Sequence, residues 1–120
     1  MAGTVVTTEE GEFGGTQKVK FAWTSSAGGA ADATTSNAYS GAVERVLIVP
    51  GATTPSDLFD VVITDGDSVD ILLAFGANCS NAHTTVITAD NLSAVHNDNL
   101  TLAITNAGDS KNGNVIVYMR

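Results

Sequence analysis

The chain has 120 residues, 43% of them hydrophobic and only 15% charged, with five Lys/Arg against thirteen Asp/Glu and a net charge of −8. One domain of this size buries roughly 65% of its unfolded surface, enough for a single core. Such an acidic chain repels nucleic-acid backbones and anionic membranes unless its few cations gather, and Lys18, Lys20, Arg45, Lys111 and Arg120 are scattered along the sequence. Neither nucleic acid nor a membrane is therefore expected as a partner.

No apolar run approaches the ~20 residues that span a bilayer. No basic segment followed by an apolar stretch opens the chain, so no secretory signal is expected. The single cysteine, Cys79, excludes an internal disulfide and a multi-cysteine zinc site.

Residues 1–16 hold four glycines and three glutamates, with Val5, Val6 and Phe13 as the larger apolar side chains after Met1. They read as a flexible N-terminal arm that orders against a partner. Residues 17–120 read as a single β domain. Gln17 to Thr24 alternates, with Val19, Phe21 and Trp23 on one face and Lys18, Lys20 and Thr24 on the other, which predicts a half-buried strand. Ser25 to Asn37 is small and polar and reads as a long loop. Tyr39 to Val49 is a second extended run, with Gly41 marking a bulge and Pro50-Gly51 ending it.

Leu58 to Thr64 and Val69 to Phe75 are predicted to form a hairpin around Asp65-Gly66-Asp67-Ser68. His83 to Ala89 reads as another strand, and Asp90 to Asn97 as a polar stretch with room for one helical turn. Leu100 to Thr105 and Val115 to Met119 alternate, and the turn-rich linker 106–113 predicts a second hairpin. About seven strands without an amphipathic helix point to an all-β fold. It is expected to be an antiparallel β-sandwich (jelly-roll or immunoglobulin-like) or a small β-barrel.

Candidate chemistry is sparse. Asp65, Asp67 and Asp70 can meet at a hairpin tip, and carboxylates suit calcium. The spacing fails an EF-hand, however, since Asp70 stands sixth and Gly76 twelfth from Asp65. The turn is read as solvated and polar, with no metal assigned. His83 and His96 lack a positioned nucleophile, a G-x-S-x-G elbow or an H-E-x-x-H motif, so no catalytic residue, cofactor or enzymatic activity is expected. Cys79 has no neighbouring cation to lower its pKa and reads as a buried residue. Trp23 is in phase with Val19 and Phe21, which favours a place in the core over an exposed sugar-stacking platform.

Several stretches together carry a resemblance. They are Tyr39-Ser40-Gly41, Val49-Pro50-Gly51, Pro55-Ser56-Asp57-Leu58-Phe59-Asp60-Val61 and Asp65-Gly66-Asp67-Ser68-Val69-Asp70-Ile71-Leu72, then Asn78-Cys79-Ser80-Asn81, Leu100-Thr101-Leu102, Asn106-Ala107-Gly108 and Val115-Ile116-Val117-Tyr118. Over residues 17–119 the chain resembles small β proteins from the structural gene clusters of tailed bacteriophages. It departs from them at Phe59, where the group tends to have Tyr, at Cys79, where it tends to have Leu, and in the early place of Gly66 in the acidic turn. The resemblance implies a virion component without catalytic residues. The function expected is capsid decoration (cement) on the outside of the head. Expected partners are the major capsid protein and further copies of the chain as a trimer, with Val5, Val6 and Phe13 of the arm as contacts. A head–tail connector or tail protein is the alternative, and a carbohydrate-binding or adhesin module the alternative from another class.

Overall fold

The computed structural model describes residues 3–10, 17–88 and 94–120. Within them the chain forms nine strands. These are β1 (Thr4–Glu10), β2 (Gln17–Thr24), β3 (Ala31–Thr34), β4 (Tyr39–Pro50), β5 (Asp60–Thr64), β6 (Thr85–Thr88), β7 (Ala94–Asp98), β8 (Thr101–Thr105) and β9 (Asn112–Met119). All pair antiparallel, in two sheets. The larger sheet runs β1-β2-β9-β4-β6, with β7 paired to the first part of β4, and the smaller runs β3-β8-β5. Among the described residues neither sheet closes into a barrel.

The period-2 pattern explains both layers. Val19, Phe21 and Trp23 of β2, Val115, Val117 and Met119 of β9, and Val46 and Ile48 of β4 are all buried. They face Leu102 and Ile104 of β8 and Val61 and Ile63 of β5, which are equally enclosed, and the two sets form one core. At its centre the Trp23 indole meets the Phe59 ring with centroids 5.8 Å apart and planes tilted by 47°. Phe59 stands just before β5, so this pair joins the two sheets. Gly113 lies opposite Trp23 in the β2–β9 register, and a Cβ there would stand 2.8 Å from Trp23 Cζ2 and 2.8 Å from the Val49 carbonyl oxygen.

Several features depart from the sequence expectation. Thr4–Glu10 is not a free arm: it pairs along its whole length with β2, from Thr4 opposite Thr24 to Glu10 opposite Lys18. Alternating threonines and valines suit an edge strand, and this one has a partner within the same chain. Second, the long loop contains β3, four small residues that pair with β8 and carry almost no hydrophobic signal.

Third, Val69 to Phe75 is not a strand. The Asp70 carboxylate accepts hydrogen bonds from the backbone N–H groups of Leu72 (3.0 Å) and Ala74 (2.9 Å), which turns the chain. Leu73 and Ala74 take left-handed φ values of 50° and 69°. Residues 70–79 still run antiparallel beside β5, through bridges of Asp70 to Thr64 and of Cys79 to Phe59, and so line that edge of the smaller sheet.

Fourth, β8 and β9 are not a hairpin. They belong to different sheets, and the linker between them crosses from one layer to the other. Ser25 holds that crossing, because its hydroxyl accepts from Lys111 N at 2.8 Å and donates to the Gly108 carbonyl. The bulge expected at Gly41 is present as a register shift between Tyr39 and Gly41, where Gly41 has φ of 134°. Residues 94–97, inside the stretch given room for a helical turn, belong to β7 instead.

Overpacking beneath the indole is the sharpest test of this core. Gly113→Ala is expected to lower unfolding free energy by about 1–3 kcal/mol, read as a fall in the urea midpoint at constant m-value. An unchanged midpoint would show that the Trp23–Gly113 contact is not close.

Candidate interaction surface

Besides its ladder with β2, the N-terminal strand is tied to the body by one carboxylate. Along β1 the side chains of Val5, Thr7 and Glu9 turn toward the smaller sheet, while Thr4, Val6, Thr8 and Glu10 are exposed. Glu9 Oε1 accepts the Tyr39 hydroxyl at 2.6 Å and the Asn37 backbone N–H at 3.1 Å, and Oε2 accepts the Ser36 N–H at 3.2 Å. Burial acts to raise the Glu9 pKa, but the hydrogen bonds from Tyr39, Asn37 and Ser36 outweigh it and hold the carboxyl below its usual 4.5. The same pairing, added to burial, lifts the Tyr39 hydroxyl well above its ordinary 10 and keeps it a donor.

The three arm residues expected to make contacts have different fates. Val5 packs against the core. Val6 is 69% exposed and points away from it. Phe13 lies outside the described residues.

The outward face of the larger sheet gathers residues that are far apart in sequence. Because Val19, Val117 and Val46 point inward, their neighbours point out. One register row runs Thr8–Lys20–Ile116–Leu47–Val86 across five strands. The next runs Glu10–Lys18–Tyr118–Arg45–Thr88, and on the other side Val6–Ala22–Asn114–Val49. In the described residues no strand or loop of the chain pairs over this face. Val86 is 54% exposed, and Leu47, Val49 and Ile116 are half-buried.

Tyr118 forms the charged part of the face. The Arg45 guanidinium carbon sits 4.5 Å from its ring centroid and Lys18 Nζ 5.9 Å from it. Here the structure corrects the sequence reading. Three of the five cations, Lys18, Lys20 and Arg45, are not scattered but meet on one sheet face. Strand pairing brings them together, and linear spacing cannot show it. The opposite surface has the other sign: the outward positions of the smaller sheet include Asp32 and Asp60 with threonine, alanine and valine.

The remaining candidates each have a defined place. Asp65, Asp67 and Asp98 bring carboxylate oxygens within 4.8 Å of one another, with Asp98 in the place expected for Asp70. Asp98 comes from the end of β7, so no local spacing announces it. Asp65 Oδ1 is already engaged by the N–H groups of Asp67 (2.9 Å) and Val69 (3.0 Å), the geometry of a closed polar turn. His83 and His96 are both exposed. Cys79 is buried and donates to the Gly76 carbonyl at 3.1 Å. Burial first and the Asp60 charge second push its thiol up to about 11, so it is not an activated nucleophile. Trp23 and Phe59 are enclosed in the core and cannot stack on a sugar.

In comparison with known proteins, no protein family, no curated protein and no solved structure matches the chain.

The Glu9 tie has a defined pH window. A carboxyl whose folded pKa lies below its unfolded value gives stability that is complete above the usual 4.5 and is lost as pH falls through the lower folded value. Glu9→Ala is expected to cost about 1 kcal/mol at pH 7, since the site is only partly enclosed. The gap from wild type should close on acidification below the ordinary carboxylate range. A gap that persists unchanged to the acid limit would show that the carboxylate is not what holds β1.

Proposed function

We propose that this chain is a virion structural protein, a decoration (cement) protein that binds the outside of an assembled bacteriophage head and stabilises it by protein–protein contact. The observation that carries the reading is the outward face of the larger sheet, which no described strand pairs over, with its half-buried apolar centre around Leu47 and Ile116 and its stacked cations. A sheet face of that composition suits adhesion to another protein. The resemblance read in the order of its turn and strand motifs is what turns this reading toward a phage head. We read the two facing sheets as a sandwich, the larger one turned toward the partner.

Such a protein works by mass action. It binds the assembled shell and not the free subunits, so each bound copy shifts the balance toward the shell by an amount set by its concentration and affinity. A trimer would match the local symmetry axes of a shell and repeat the same contact three times. The net charge of −8 suits an exterior place, away from packaged DNA. No catalytic step is assigned to the chain.

The test is co-sedimentation with heads of the phage or induced prophage whose genome encodes the chain, followed by counting copies per head. The reading expects many copies spread over the shell and a rise in the melting temperature of the head. Copies confined to one vertex would replace it with a connector role. No association with heads or tails at all would overturn the virion reading.

A further inference from the structure

We propose that the docking face is the outward side of the larger sheet, that its occupant is an acidic protein surface with an apolar centre, and that Arg45 and Lys18, held on Tyr118, are its charged anchors. The inference rests on the decoration reading and adds to it the place of contact and the chemistry of the partner.

Charge distribution is the first argument. Among the described residues, Lys18, Lys20 and Arg45 share the face with two carboxylates, Glu10 opposite Lys18 and Glu44 in the bulge beside Arg45. The other described residues have two cations against nine carboxylates. Positive charge is therefore concentrated on this face of a strongly acidic molecule. Complementary potentials speed encounter and fix orientation, and like charges brought together are costly. The same arithmetic argues against a second copy docking face to face, which would set Arg45, Lys18 and Lys20 against themselves.

Preorganisation is the second argument. A free lysine or arginine loses rotamer freedom when it binds, at about 0.5–1.5 kcal/mol per immobilised side chain. Here Arg45 and Lys18 are already laid toward one ring, at 4.5 and 5.9 Å from its centroid. Tyr118 is itself fixed, because Val117 and Met119 on either side of it are fully buried. Tyrosine and arginine are also the residues that dominate measured interface energies. Leu47, Ile116 and Val86 lie one row away and supply the apolar centre that such anchors surround.

A third observation separates this face from the other apolar surface. Leu58, Leu73 and Phe75 are also exposed, but Leu73 and Phe75 belong to the segment that lines the β5 edge and Leu58 stands just before β5, where Asp57, Asp60 and Asp70 are the neighbouring charges in sequence. An acidic partner would be repelled there.

The experiment measures binding to heads by the intact protein and by the charge-reversed variant K18E/K20E/R45E across a series of NaCl concentrations. A Y118L variant is measured beside them. All three substituted cations lie on the outward side, so circular dichroism and melting should match wild type and confirm folding. Expected is weaker wild-type binding as salt rises, a loss of about 100-fold or more for the triple variant, and a smaller loss for Y118L. If wild type binds and the triple variant binds equally, the docking face or its chemistry is wrong while the decoration reading stands. If wild type dimerises in sedimentation through this face and the triple variant does not, the occupant is a second copy and the inference fails. Failure of wild type to bind heads removes the reading beneath it.

Discussion

The fold depends on one contact between unlike partners: a tryptophan laid across a glycine. Gly113 stands opposite Trp23 and offers no side chain, so the indole can cross β9 and reach Phe59 in the other layer. An aromatic pair of this kind contributes about 0.5–1.5 kcal/mol beyond the area it buries, and the area itself is large. The position is chosen for shape, since Trp23 Nε1 is enclosed without a hydrogen-bond acceptor among the described residues. The inward residues of β2, β9 and β4 are arranged around that ring. Once the inner side of the larger sheet is fixed, period 2 also fixes which residues face outward.

The outward face follows from that constraint. Shifting β2 by one residue against β9 would bury Lys18 and Lys20 and expose Phe21 and Trp23, so the register that protects the core also displays the cations. Tyr118 is outward because Val117 and Met119 are inward. The cation cluster thus has no separate structural cause; it is the outer side of the core pattern. The N-terminal strand completes this side, and Glu9 reaches past the sheet edge to Tyr39 and the turn before β4. An N-terminal segment that is half edge strand and half face presents Val6 on the same side as Ala22 and Val49.

Much of the all-β character was legible in the sequence, and little of the pairing was. Val19, Phe21 and Trp23, or Val115, Val117 and Met119, announce strands because alternation is a local property. Which sheet each strand joins is not local. Leu100 to Thr105 and Val115 to Met119 look like neighbours because turn residues separate them, yet Ser25 draws the intervening linker across the layers. Val69 to Phe75 carries enough hydrophobic residues for a strand. A single carboxylate, Asp70, diverts its N–H groups into a turn. Ala31–Thr34 is a strand because β8 offers it a partner, a cause invisible in four small residues.

The cation-bearing face was harder still to read. Lys18 and Arg45 are separated by more than twenty positions and by Tyr118 near the other end of the chain, and only the order β2-β9-β4 brings the three together. The same holds for Asp98 beside Asp65 and Asp67. Sequence spacing favours segments that move as a unit, so it points to an arm as the contact. An arm of that kind gains adhesion by ordering at the moment of binding and loses entropy then. A paired strand and a packed sheet have already met that cost on folding. A contact made through the sheet face therefore starts from a rigid, charged and partly apolar surface. Its strength depends on how well the partner's charges match it rather than on how much chain must be ordered.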